Sequence, residues 1–243
     1  MSVVKSSELA IAHRSPGETA EVGARRKRGR PSRLSREAVV EAALAILADV
    51  PLEGFSMALV AKRVGAGVMS LYTYFPSRDA MLLAVAEDIY TRFERPSPRE
   101  TWQDEVRDWM WATVRLFDRY PVAIKLSAWD GHVSPAWLRT WFPIVRLIKR
   151  QGLDGPKLAF AVSWFSTASM SFIVTQMGSP GHRRRDSIVH IGALDREDQQ
   201  LASTLWLDFE TVDRDAALEF GFDAIIGGLA RLIDGAGPAD SRP

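Results

Sequence analysis

The stretch Val64-Gly65-Ala66-Gly67-Val68-Met69-Ser70-Leu71-Tyr72-Thr73-Tyr74-Phe75 decides how this chain is read. Gly65 supplies a left-handed turn, a conformation open to glycine because it lacks a Cβ, and Gly67 begins a new short helix. At about 100° per residue, Leu71 and Phe75 point inward on that helix while Met69 and Thr73 point outward, flanked by Ser70 and Tyr72. A short rod with an inward apolar edge and an outward mixed edge is suited to entering a major groove.

Working outward, two helices precede the turn. Ser35 stands as an N-cap with Glu37 in the first turn and Leu34 placed to staple onto Val39. Val39, Val40, Ala43, Leu44 and Leu47 recur at helical spacing, leaving Arg36, Glu41 and Asp49 outside, and Pro51 with Gly54 ends the run. Phe55-Ser56 repeats the device. Ser56 caps, Phe55 staples to Val60, and Leu59, Val60 and Val64 are expected to bury a two-turn helix. Beyond the rod, Pro76-Ser77 ends one helix and caps a fourth from Arg78 to about Arg92.

This order of cap, two-turn helix, glycine turn and Leu71-Tyr72-Thr73-Tyr74-Phe75-Pro76-Ser77-Arg78-Asp79-Ala80-Met81-Leu82 resembles the N-terminal domain of the TetR family of bacterial transcriptional regulators. The resemblance implies an all-α homodimer, with an N-terminal three-helix helix-turn-helix DNA-binding domain and a larger C-terminal helical ligand-binding and dimerisation domain. It further implies a ligand-responsive regulator, a repressor released from a palindromic double-stranded operator by a hydrophobic small molecule, or an activator of the same family. By motif position its base-facing and phosphate-facing roles fall on Val68, Met69, Ser70, Tyr72, Thr73 and Tyr74, with Ser56 and Arg78 gripping the DNA backbone at two helix N-termini. The chain departs from the pattern at Gly67, where many members carry a polar cap, and at Ala58, where a long polar side chain is common. Readout is therefore poor in Arg, Asn and Gln donors, leaving Val68, Met69 and the Thr73 methyl for thymine methyls.

Charge adds an independent argument. Residues 25–36, Arg-Arg-Lys-Arg-Gly-Arg-Pro-Ser-Arg-Leu-Ser-Arg, hold seven of the 31 basic residues and none of the 30 acidic ones. The formal net charge of +1 thus conceals a basic arm on an acidic body. Arg28, Arg30 and Arg33, kept extended by Gly29 and Pro31, suit phosphate neutralisation and a narrow minor groove. A tether to anionic surfaces is the competing use of such an arm.

Length allows one small domain and one larger core: a lead-in over 1–24, arm and DNA-binding domain over 25–80, helical domain over 81–236, and a tail over 237–243. The first 24 residues carry no apolar core of a secretory signal, and the absence of cysteine fits a reducing cytoplasm. Thr101 caps a helix through Trp102, Val106, Trp109, Met110, Thr113, Leu116 and Phe117. A short segment near 122–128 follows, then 134–150 with Pro143 expected to kink or split it, 156–177, about 195–206 and 214–234.

Leu158 to Met177 is free of charge, but its serines, threonines and Gln176 make a poor membrane inserter; burial in a bundle and against a second subunit is the better reading, with no membrane partner. Gly221, Gly227 and Gly228 lie in the last helix at a cost to helix propensity that close helix approach offsets. This ending resembles the tetracycline-repressor branch, which implies a four-helix dimer interface built by the helices at 156–177 and 214–234. All eight tryptophans lie between Trp102 and Trp206, and Trp109, Phe117, Trp129, Trp141, Trp164 and Met170 are the candidate lining of a ligand cavity. Catalysis, metals and cofactors find no motif: His13, His132, His182 and His190 lack metal spacing, and Asp130 with His132 is a lone pair.

Overall fold

The computed structural model describes residues 34–127, 134–177, 192–209 and 211–235. Arg28, Arg30, Arg33, Trp129, Asp130, His132, His182 and His190 lie outside them. The described residues are helical without strands: α1 Arg36–Leu47, α2 Met57–Val64, α3 Val68–Tyr72, α4 Arg78–Thr91, α5 Trp102–Arg119, α6 Val122–Ser127, α7 Pro135–Arg150, α8 Gly155–Met177, α9 Arg196–Phe209 and α10 Arg214–Asp234, with a 3₁₀ turn at Leu52–Gly54.

Side-chain caps set the helix starts. Ser35 Oγ accepts from the Ala38 N–H at 3.1 Å, Ser77 Oγ from Ala80 at 3.0 Å, Thr101 Oγ1 from Asp104 at 3.1 Å and Ser134 Oγ from Trp137 at 3.0 Å. Ser56 accepts from Leu59 at 3.4 Å, and Asp213 caps α10 through Ala216 at 2.7 Å. Each satisfies a backbone donor that the first helical turn leaves open.

One apolar core runs from Val39 to Leu229. Helix α4 lies within it, packing against α1 on one side and against α6 and α7 on the other. Arg92 at its end ties the two sides: one guanidinium nitrogen meets Glu41 of α1 at 2.6 Å, another the Tyr120 hydroxyl at 3.2 Å. Earlier on α4, Glu87 takes the Ala136 N–H at 2.8 Å and Arg139 at 2.6 Å, capping the start of α7. Partial burial pushes the Glu87 carboxyl up, but these bonds outweigh it and hold the group below its ordinary value.

Two expectations change. Leu59 is 37% exposed, since α2 buries Met57, Val60 and Ala61 instead. Helix α7 continues through Pro143, neither split nor ended. A proline donates no N–H to the carbonyl four residues back, and that carbonyl, of Arg139, accepts instead from an Arg95 guanidinium nitrogen at 3.4 Å.

Helix α8 packs along α10. A Cβ on Gly221 would stand 2.0 Å from the Phe172 ring, and one on Gly228 would stand 2.3 Å from the Trp164 indole, so two of the three glycines admit close helix approach. Gly227 meets nothing within 4 Å and faces away from α8. Beside it on the outer side of α10, Phe220 is 79% exposed. Of the described helices, α8 is the one long and apolar enough to cross a membrane, and most of it is uncovered by this chain.

Candidate nucleic-acid interface

Helices α2 and α3 form a compact helix-turn-helix. Gly65 takes the left-handed conformation at φ +67°, and the N–H groups of Gly65 and Ala66 return to the carbonyls of Lys62 and Ala61, closing α2 and releasing the chain for α3. Leu71 and Phe75 are fully buried and pin α3 to the core. Their burial turns the other edge outward: Met69 is 77% exposed, and Val68, Ser70, Tyr72 and Thr73 share that surface. The structure thus brings five of the sequence candidates together on one exposed edge.

Tyr74 and Arg78 are placed differently. The Tyr74 hydroxyl donates to the Leu34 carbonyl at 2.7 Å, bracing the entry to α1. Arg78 donates through Nε to the Phe55 carbonyl at 3.0 Å and through a terminal nitrogen to Leu52 at 2.5 Å, and its guanidinium lies over the Phe55 ring. Nε and one terminal nitrogen are thus turned onto the α1–α2 connection, while the other terminal nitrogen stands 3.7 Å from Asp79 and the side chain keeps 36% of its surface exposed. Ser56 is half-buried, its hydroxyl accepting from Leu59.

Sequence reasoning passed over Lys62 and Arg63, exposed in the last turn of α2 beside the turn to α3, and Arg36, whose guanidinium lies 4.9 Å above the Phe75 ring. The signal for the first two was present: basic residues immediately before Gly65.

The ligand candidates are dispersed. Trp109 and Trp141 stack edge-on at 4.9 Å, and both pack against the buried Phe165. Phe117 is fully buried, Trp164 lies on Gly228, and Met170 is half-buried on α8. The aromatics therefore fill one another's space in large part, with Trp109 also bordering an open cleft.

Comparison with known proteins agrees with this geometry. The sequence model described as "Bacterial regulatory proteins, tetR family" matches residues 39–85, from within α1 into α4. The HTH-type transcriptional repressor DrrR1 of Streptomyces coeruleorubidus is 26% identical over 88% of this chain and 82% of its own length. The class C tetracycline repressor protein of Escherichia coli is 27% identical over 83% of this chain and 93% of its own. Among solved structures, apo ActR from Streptomyces coelicolor superposes with a TM-score of 0.68 at 22% identity, covering 85% of this chain and 99% of its own. ActR in complex with actinorhodin superposes with a TM-score of 0.66 at 22% identity, covering 87% of this chain and all of ActR. A helix-turn-helix with an exposed reading edge, a larger helical body behind it, and relatives alike along most of their length make this chain a member of the tetR family of bacterial regulatory proteins.

Proposed function

We propose that the chain is a cytoplasmic repressor that binds a palindromic DNA operator as a homodimer and leaves it when a hydrophobic small molecule binds the helical body. The observation that carries the proposal is the edge of α3. Val68, Met69, Ser70, Tyr72 and Thr73 are held outward by buried Leu71 and Phe75, a rigid surface whose methyls and hydroxyls fit thymine methyls and base-edge acceptors. Lys62 and Arg63 beside it, and the basic residues of 25–33 that precede α1 in the sequence, supply phosphate contacts and a steep salt dependence. The division into a DNA-binding part over 25–80 and a body over 81–236 belongs to the same proposal.

A second copy is the fitting cover for α8 and α10. Their uncovered edges carry Ser163, Thr167, Ser171 and Thr175 on one helix and Ala216, Phe220, Ala224 and Gly227 on the other. Small residues let helices approach closely, and the hydroxyls at four-residue spacing argue for another protein surface over lipid. Helix α9 adds exposed Leu201 and Leu205 one turn apart. Repression and ligand release follow the relatives, two of which are named repressors and one of which is known with actinorhodin bound.

The test is selection of bound duplexes from a random pool by the full chain and by a Tyr72→Ala/Thr73→Ala variant. A palindromic preference lost in the variant supports the regulator. Association with acidic vesicles, with no duplex preference in either chain, would establish the tether in its place.

A further inference from the structure

We propose that the cleft between the segment after α4 and helices α5 and α7 binds an anionic amphiphile, a ring compound carrying a carboxylate, through Arg95, Arg146 and Arg150. The cleft encloses about 390 Å³ and is open on one side. That lies within the range of sites for drug-sized ligands. As an identification of the effector class, the proposal rests on the ligand-release reading above; as a binding site, it stands on its own geometry.

The floor is apolar and offers no free polar hydrogen. Trp109, Ile144 and Leu147 are buried there. The Trp109 indole N–H is used on the Thr140 carbonyl at 3.1 Å, and the Thr140 hydroxyl on the Ala136 carbonyl at 3.0 Å. A guest therefore meets ring and methyl surface below, with no hydrogen-bond donor free in that floor.

The rim is the opposite. Three arginines line the cleft with one acid, Glu105, whose pairing with Arg150 at 3.8 Å is loose. Arg95 holds only the long 3.4 Å bond to the Arg139 carbonyl that Pro143 leaves without its helical donor. Arg146 is exposed. Guanidinium forks bind carboxylates in paired, charge-assisted hydrogen bonds stronger than bonds to neutral carbonyls. A cation is repelled by this rim and a neutral ring gains the floor and at most the exposed Ser97 hydroxyl, so an acid on an apolar body is the occupant that uses floor and arginines together.

The position also links the site to the reading head. Arg95 lies four residues beyond the end of α4, and its present tie is to α7. A carboxylate that draws Arg95 off the Arg139 carbonyl changes how the exit of α4 is fastened to α7, and α4 is packed on α1.

Titration calorimetry of the full chain with benzoate, 2-naphthoate, 9-anthroate and the neutral isostere 2-naphthamide tests this, alongside an Arg146→Gln/Arg150→Gln variant whose folding is checked by thermal melting. The expected result is an acid preferred over 2-naphthamide by about tenfold or more, with the preference erased in the variant. Equal affinity for acid and amide, an unchanged preference in the variant, or no binding of any acid overturns the site. Measuring affinity for the selected duplex with and without each compound separates the two readings. Acids that bind through the arginines yet leave DNA affinity unchanged keep the cleft and remove ligand release by it. DNA release by the amide as readily as by the acid keeps ligand release and removes the cleft.

Discussion

Three glycines in α10 should respond to the same substitution in two opposite ways, and the difference tests whether a second copy covers the outer side of α8 and α10. Glycine inside a helix is less favourable than alanine by about 1 kcal/mol, so each Gly→Ala change starts with a gain of that size. At Gly221 the new Cβ would lie 2.0 Å from the Phe172 ring, and at Gly228 2.3 Å from the Trp164 indole. Such contacts force a packed ring to move, at roughly 1–3 kcal/mol, so both variants are expected to be net destabilised by up to about 2 kcal/mol. At Gly227 a Cβ meets nothing within 4 Å in its own chain. A lone subunit should therefore gain about 1 kcal/mol from Gly227→Ala. If a second copy packs closely there, two symmetry-related methyls enter one crossing and the dimer weakens, each 1.4 kcal/mol raising the dissociation constant about tenfold. Urea unfolding at several protein concentrations, together with sedimentation over a dilution series, measures both terms. An unchanged dimer constant alongside increased stability in Gly227→Ala would refute the covered face.

Other predictions follow from single contacts. Tyr74→Phe removes the bond to the Leu34 carbonyl and should cost about 1 kcal/mol by chemical denaturation while leaving duplex preference intact. Met69→Ala should weaken binding to the selected duplex without lowering the melting temperature, because the side chain is 77% exposed; a fall in melting temperature would place it in the core. Glu87→Gln loses charge-assisted bonds to Ala136 and Arg139 worth about 1 kcal/mol at a one-third exposed site. Because the folded pKa of Glu87 lies below its ordinary value of 4.5, that difference from wild type is full at pH 7 and shrinks as pH falls below about 4.5 through the folded value. Arg92→Met removes the tie from α4 to Glu41 and Tyr120, with a loss of stability on the order of 1 kcal/mol that salt reduces.

Local chemistry made much of this fold legible in the sequence. Ser35, Ser56, Ser77 and Thr101 cap where a hydroxyl preceding an apolar period says they should, and Gly65 turns where a left-handed residue is needed. Periodicity also sorted α3, with Leu71 and Phe75 inside and Met69, Tyr72 and Thr73 outside. It is silent where a partner far along the chain decides. Tyr74 lies next to an outward position, yet its hydroxyl meets a carbonyl forty residues earlier; Arg78 opens α4, yet its fork reaches back to Leu52 and Phe55. Leu59 reads as apolar and therefore buried, but a two-turn helix has room to bury only one edge. The cleft was hidden for the same reason: Arg95, Arg146, Arg150 and Trp109 come from separate segments, and no short pattern joins them. Aromatic abundance suggested a cavity, whereas Trp109, Trp141 and Phe165 close on one another.

Helix α4 follows the reading rod along the chain, and from Met81 to Tyr90 most of it is buried, packed against α1 and against α6 and α7. A lever of this kind has no free joint near residue 80 at which the front of the molecule swings while the rear stays still. Any displacement at the start of α7 is handed through Glu87 to a beam that also carries Arg92 and, through it, α1. In a paired molecule, the separation of the two α3 rods would then be set by the tilt of two stiff beams, so a shift of an ångström deep in the body changes the span offered to successive grooves.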